Sequence, residues 1–411
     1  MSDLANLDIL TPAAYTDGFP HDLFTRLRTE DPVHWTAEAL TPEFPFMRTP
    51  GRGFWAVTRH ADVDRVVRNP AVYSSQLGGT FIIDLAPGPL NLQQRQMLNM
   101  DPPEHSRLRR IINRAFTPKA VEGLRAAVEA NTSRILDAAG RRGEVDFVTA
   151  VAAELPLMML CGLLGVPLED RFLLFDWTNR LTAVESQDDF RRATDEMNHY
   201  CLAHSTAKRA QPTDDIWSTL VNAELPPDDA DGATRLTDED LLMFWQLLVI
   251  AGNETTRNAT SGGVLALVEH RDQAVRLYQH PELMPTAVEE VLRWVSPVNH
   301  FRRTASEDTE LGGKHIKAAD KVVVYYASAN RDEDVFTDPF TFDITRQPNP
   351  HLAFGAGPHF CLGAPLARLQ LRTMLTELMQ RYPRSTIVGP VERVPITFLA
   401  GIKSMPVQLR A

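Results

Sequence analysis

Hydrophobic and polar positions are most telling between residues 236 and 269. Leu236-Thr237-Asp238-Glu239-Asp240-Leu241 reads as a helix start: Thr237 caps, Asp240 answers it from the third position, and Leu236 and Leu241 form a hydrophobic staple. No proline follows before Glu269. The pattern predicts a helix of roughly 30 residues, ~45 Å long at 1.5 Å per residue. Its first half, Leu241 to Ile250, is apolar on nearly every face and predicts burial. The apolar run Met243 to Gly252 is too short to span a bilayer.

Polar groups then interrupt the helix at Ala251-Gly252-Asn253-Glu254-Thr255-Thr256. An acid and two hydroxyls inside a buried helix are costly unless something uses them, and Gly252 lowers helix propensity at the same point. Taken alone, these residues fit equally well an ordinary kink whose hydroxyls bond back to carbonyls one turn earlier. A second helix opens at Asp101-Pro102-Pro103-Glu104-His105-Ser106-Arg107-Leu108-Arg109. At 100° per residue, His105 and Arg109 share a face with Ile112 and Phe116, while Arg107, Arg110 and Arg114 fall opposite. That split suits an inward cationic pair for an anion and an outward stripe for an acidic protein, although a solvated face explains some of these arginines equally well.

The densest chemistry lies in Phe354-Gly355-Ala356-Gly357-Pro358-His359-Phe360-Cys361-Leu362-Gly363-Ala364-Pro365-Leu366-Ala367-Arg368. Glycines let backbone approach a large flat ligand. The amphipathic helix after Cys361 presents free N–H groups, predicting a thiolate metal ligand. A lone cysteine is more often a small apolar core residue. A dinucleotide loop is excluded because Phe360 stands where a third glycine belongs and Pro348 and Pro350 precede the loop.

This loop resembles the haem-ligand loop of the cytochrome P450 family, the haem-thiolate monooxygenases. Three further segments follow in the family's order. Ala251 to Thr256 resembles its acid–alcohol signature, Asp101 to Arg109 its propionate-binding helix, and Glu290-Val291-Leu292-Arg293 its E-x-x-R pair. The resemblance implies a mainly α-helical fold with a small β region: a helical prism with the long helix over the haem. It assigns Cys361 to the iron, and His105, Arg109, Arg303 and His359 to the propionates of haem b. Ala251, Phe354, Gly355 and Gly363 would frame the ring. Thr255 would position dioxygen and water, and Glu254 would relay protons from solvent. Arg346 would join Glu290 and Arg293 in a structural trio that holds the meander before the cysteine.

Composition narrows the setting. The chain has 411 residues, 44% hydrophobic and 23% charged, and no linker or repeat marks a boundary, so residues 1–411 read as one domain. A net charge of −11 argues against nucleic acid as partner. Cys161, Cys201 and Cys361 form no disulfide framework and suit a reducing compartment. The segment Met1 to Tyr15 lacks a basic region or apolar core, predicting neither signal peptide nor membrane anchor, hence a cytoplasmic protein, read as a monomer. His199, Cys201 and His204 imitate metal spacing, but His199 and Cys201 point to different sides of a helix and no fourth ligand lies nearby.

By position, pocket walls should include Ile82, Ile83, Leu247, Leu248, Val298 and Phe398, which favours a lipophilic substrate held by shape. The stretches Ile250 to Asn258 and Phe398 to Val407 resemble the actinobacterial branch that hydroxylates steroid side chains and methyl-branched lipids; a terpenoid or secondary-metabolite scaffold is the alternative. With no flavin or nicotinamide signature, electrons should come from NAD(P)H through a reductase and an acidic ferredoxin docking near Arg107, Arg110 and Arg114, joined by Lys119 and Arg372. Two rival functions are a peroxygenase using hydrogen peroxide and a non-catalytic haem sensor. The acid–alcohol pair argues against both.

Overall fold

A 32-residue helix, Asp238–Glu269, organises the molecule. The computed structural model describes residues 8–38, 48–49, 51–182, 186–224 and 235–411; Met1 to Leu7 of the N-terminal stretch discussed above lie outside them. The predicted start is present as read: the Thr237 hydroxyl accepts from the Asp240 amide at 3.2 Å, and the Asp240 carboxylate accepts from the Thr237 amide at 2.9 Å. Leu236 and Leu241 are both buried. The helix runs unbroken from Asp238 to Glu269 through Gly252, Gly262 and Gly263.

Burial along this helix departs from the expectation. In the apolar half, Leu242, Leu247, Leu248 and Ile250 are only partly buried, whereas Asn253, Glu254 and all of Thr256 to Ser261 are buried. The helices Glu154–Leu164, Gln187–Ala210, Met284–Val295 and Ala364–Arg381 all pack against it. Close approach is fixed at Gly262 and Gly263, where an added Cβ would lie 2.8 Å from Val295 and 2.7 Å from Val291. The polar stretch is thus enclosed because two side-chain-free positions let Met284–Val295 dock tightly.

The structure is 56% helical, and the described residues form five small sheets. The largest sheet orders its strands Val33–Thr36, Phe54–Val57, Lys321–Tyr325, His300–Ala305 and Tyr73–Ser74. Only the pairing of Phe54–Val57 with Lys321–Tyr325 is parallel. Its register sets Val322 opposite Arg303 and Tyr325 opposite His300. Among the described residues, no helix is long and apolar enough to cross a membrane.

Candidate active site

The cysteine loop leaves the meander without a strand. Gly355 and Gly357 take φ of 66° and 67°, a region that side-chain-bearing residues rarely adopt. At Gly357 an added Cβ would also lie 2.5 Å from the Val67 carbonyl oxygen, so the loop packs directly on the helix His60–Arg68. The Cys361 amide donates to the Phe354 carbonyl at 2.9 Å, closing the loop, and Ala364–Arg381 begins two residues beyond the sulfur-bearing residue's neighbour, with Gly363 as cap. Burial pushes the Cys361 thiol up, while the amides of Gly363 and Ala364 and the guanidiniums of Arg109 and Arg368 pull it down. A bound metal cation would favour the thiolate.

Four cationic or titratable side chains converge beside it. The His105 and His359 rings lie against each other with centroids 4.2 Å apart, tilted by 45°. Arg109 donates to the Phe360 carbonyl at 2.5 Å, next to Cys361. Arg303 is buried and bonds only to the Arg302 carbonyl, at 2.8 Å. Burial, followed by the neighbouring arginines, holds His105 down to about 4 and His359 down to about 2, so both rings are neutral. His359 also meets the Ser75 hydroxyl at 3.2 Å, a partner the sequence did not suggest. Among the described residues neither Arg109 nor Arg303 has a carboxylate partner, and His105 Nδ1 makes no hydrogen bond. Arg303 is a buried guanidinium without a counter-charge, which is unfavourable unless an anion arrives.

On the central helix the acid and the alcohol have separate partners. Thr255 Oγ1 donates to the Ala251 carbonyl at 2.8 Å, the back-bond of the bland reading. Glu254 is 3% exposed and ion-paired with Arg257 one turn on, whose other nitrogen donates to Asn179 Oδ1 at 2.9 Å. Burial raises the Glu254 carboxyl despite that pair. Arg257 was missed in the sequence, although its i+3 spacing from Glu254 was a readable signal. Ala251 and Gly252 are exposed on an otherwise enclosed helix, offering a flat, nearly side-chain-free face.

The trio Glu290, Arg293 and Arg346 is brought together. Arg293 donates to both Glu290 oxygens at 2.8 and 2.7 Å, and Arg346 reaches the same carboxylate at 3.2 Å. Arg346 also bonds the carbonyls of Thr337, Asp338 and Thr341 in the meander. Of the pocket walls, Leu247, Leu248, Ile83, Val298 and Phe398 are partly buried, and Val298 bridges Leu399. Ile82 instead packs with Phe24, Phe54, Val323 and Tyr325 in the N-terminal cluster, because the segment carrying it is clamped to that sheet. Arg302 bonds the Ile83 carbonyl and Asp84, and Lys321 bonds Asp84 and the Ile82 carbonyl. Phe81 and Phe301, unremarked in the sequence, pack on Phe398 with ring centroids at 5.1 and 5.4 Å, the first edge to face and the second tilted. Arg110, Arg114 and Lys119 are exposed, while Arg107 and Arg372 are partly buried. His204 is committed to the Leu164 carbonyl at 2.9 Å, and no metal-holding group of three or more His, Cys, Asp or Glu occurs among the described residues.

A flat iron-bearing dianion fits this residue set: a cysteine for the metal, arginines without carboxylate partners for two carboxylates, and a bare helix face for the ring. Comparison with known proteins agrees. The family model for cytochrome P450 matches residues 164–399. The chain is 42% identical to cytochrome P450 126 of Mycobacterium tuberculosis, covering 99% of this chain and 98% of that one. It is 39% identical to the steroid C26-monooxygenase of the same species (96% and 91%) and 39% identical to the methyl-branched lipid omega-hydroxylase of Mycobacterium bovis (98% and 94%). A Mycobacterium marinum cytochrome P450 solved in complex with pseudoionone superimposes with a TM-score of 0.90 at 37% identity, covering 98% of both chains. The chain belongs to the cytochrome P450 family of haem-dependent monooxygenases.

Proposed function

We propose that this enzyme hydroxylates a steroid or a methyl-branched lipid, with Cys361 as the iron ligand and Glu254 and Thr255 handling protons. The observation that carries the site assignment is the convergence of His105, His359, Arg109 and Arg303 beside Cys361, neither arginine having a carboxylate partner among the described residues. Bound haem supplies the activation of dioxygen. The arginines would neutralise its carboxylates, and the neutral histidines would donate hydrogen bonds to them. Thr255 would orient water and oxygen by leaving the Ala251 carbonyl, and Glu254 would carry protons inward, its burial raising its pKa above the usual carboxyl range. Leu247, Leu248, Ile83, Val298 and Phe398 would exclude water and hold an apolar skeleton by shape. Electrons would arrive from a ferredoxin on the face of Arg107, Arg110 and Arg114, complementary to an acidic iron–sulfur protein.

Support for the substrate class is the naming of relatives at 39% identity as steroid and branched-lipid hydroxylases. A terpenoid is the second reading, because the pseudoionone complex is a close structural neighbour. A spin-state titration of the ferric protein tests both: a tight blue shift of the Soret band with sterols or branched lipids supports the first, and a shift with terpenes alone replaces it. Cys361→Ala should abolish the thiolate-type spectrum of the reduced carbon monoxide complex, and its survival would refute the ligand assignment. Product formation driven by peroxide but not by a surrogate ferredoxin system would make the protein a peroxygenase; binding without turnover by either route would make it a sensor.

A further inference from the structure

Behind the cysteine loop stands a charged group that the chemistry described above does not use. Arg368 lies on the helix Ala364–Arg381, which begins just after Cys361. Helical side chains tilt toward the N-terminus, so that of Arg368 leans back over the loop. Its guanidinium carbon stands 4.6 Å from the centre of the Phe354 ring. The Phe354 carbonyl in turn accepts from the Cys361 amide at 2.9 Å. Against the burial that raises the Cys361 thiol, Arg109 and Arg368 are the two guanidiniums that favour its anion.

Glu289, on the neighbouring helix Met284–Val295, holds the Arg368 cation in this place by a fork of two bonds. Arg368 Nε donates to Oε1 at 2.7 Å and Nη2 to Oε2 at 2.8 Å. His351 accepts the Ala353 amide on Nδ1 at 3.2 Å, so its Nε2–H faces the same Oε2, at 3.0 Å. The carboxylate is therefore fixed from two directions, by the cysteine helix and by the meander. One electron added to an iron on Cys361 makes the site more negative. A fixed cation nearby favours that reduced state, and a carboxylate paired with the cation opposes it.

We propose, resting on the assignment of Cys361 to the iron, that Arg368 and Glu289 set the reduction potential of the bound haem as an opposed pair. Arg368 raises the potential; Glu289 orients Arg368 and offsets part of its charge. Reduction brings one electron from an external donor and moves no proton at the pair. Glu289 and His351 act through Arg368 and are positioning residues.

The test is a dithionite titration of the haem-loaded full chain, with redox mediators and without substrate, followed by absorption. Glu289→Gln, Arg368→Met, their double variant and Arg368→Lys are compared with wild type. The spectrum of the reduced carbon monoxide complex reports the thiolate in each. The Arg368 and Glu289 side chains are 37% and 31% exposed, so water screens part of their field. The expected change in the ferric–ferrous equilibrium is about threefold, ~28 mV for one electron at about 59 mV per tenfold. It runs upward in Glu289→Gln and downward in Arg368→Met. The double variant should fall between the two, and Arg368→Lys, which keeps the charge, should stay above Arg368→Met. A loop that has merely loosened would move both single variants the same way, so shifts of equal sign overturn the proposal. A shift below about 1.5-fold (~10 mV) in either one also overturns it. If Glu289→Gln does not hold haem, the two Arg368 variants decide, and equal potentials in them overturn it. Loss of haem from every variant would show that the pair holds the loop rather than tuning its charge, and overturns it too. A wild type without the thiolate-type carbon monoxide spectrum refutes the ligand assignment itself, and the proposal falls with it.

Discussion

Replacing Glu290 by Gln removes one carboxylate from among four guanidiniums. Glu290 and Arg293 are both 0% exposed, and the carboxylate also accepts from Arg346, from Asn349 Nδ2 at 3.2 Å and from the Asp343 amide at 2.9 Å. Arg331, likewise buried, is held down first by its burial and then by Arg293, with Glu290 acting against that repulsion and Arg28 and Arg346 adding to it. Gln keeps the shape but leaves Arg293 and Arg346 without a counter-charge and sets an amide N–H against guanidinium donors. Breaking a buried pair from one side costs about 3–5 kcal/mol, a large share of a total stability of about 5–15 kcal/mol. Scaling the unfolding entropy of ~2.1 cal/mol/K per residue to this chain gives ~0.9 kcal/mol/K, so the melting temperature should fall by ~3–6 °C. The assay is thermal unfolding followed by circular dichroism, with haem retention read in parallel because Arg346 ties the meander that leads to Cys361. Asp188→Asn, which loses the exposed pair with Arg191, serves as the surface control and should shift nothing measurable. A Glu290→Gln shift no larger than that control would refute the argument that this carboxylate is the counter-charge of the cluster.

Thr255→Ala should leave haem content unchanged and divert reducing equivalents to peroxide; unchanged coupling of NAD(P)H to product sinks its role. Gly357→Ala should weaken haem retention and lower stability by at least ~1–2 kcal/mol, the cost of the left-handed backbone alone, because the new Cβ also meets the Val67 carbonyl; a wild-type melting curve would contradict it. Glu289→Gln tests pH dependence: burial pushes the Glu289 carboxyl up, but bonds from His351 and Arg368 outweigh it and hold it down to about 2. Its contribution to stability is therefore complete above the unfolded value of ~4.3 and is lost as pH falls through about 2. The stability gap between wild type and Glu289→Gln should be full at neutral pH and close across that acid window, and a gap that persists at pH 2 would overturn the assignment.

Legibility in the sequence followed the range of the interaction. The start of Asp238–Glu269 was readable because Thr237 and Asp240 meet three residues apart, and the Glu290–Arg293 pair because helix geometry fixes i and i+3. Arg346 entered only through family resemblance, since 53 residues separate it from Arg293 and no local rule joins them. The same limit explains Ser75 on His359, Phe81 on Phe398, and Arg302 with Lys321 on Asp84: each is a contact made by tertiary packing between residues whose local patterns are ordinary. The apolarity of Ile82 is visible in the sequence, but its place in the cluster with Phe24 and Tyr325 rests on the distant clamp at Asp84. The burial profile of the central helix was misjudged because apolarity was used as the guide, whereas Gly262 and Gly263 decide which half is enclosed.

The acid–alcohol segment shows why its bland and its functional readings were hard to separate. A hydroxyl in a helix has a free acceptor one turn back, and Thr255 uses it at 2.8 Å; an acid has any arginine at i+3, and Glu254 uses that. A buried site cannot leave such groups unpaired while no reaction proceeds, so local bonds occupy them in the resting protein. Catalytic use then requires exchange of partners, and exchange is cheap only where the new partner compensates the lost bond. Thr255 can release a neutral carbonyl at a net cost of about 0.5–1.5 kcal/mol. Glu254 must loosen a charged pair inside the core, a far larger cost unless the carboxylate is neutralised first. Its burial favours that outcome, because the protonated acid needs no counter-charge. On the proposed relay, the proton that Glu254 would deliver is also what would free it from Arg257.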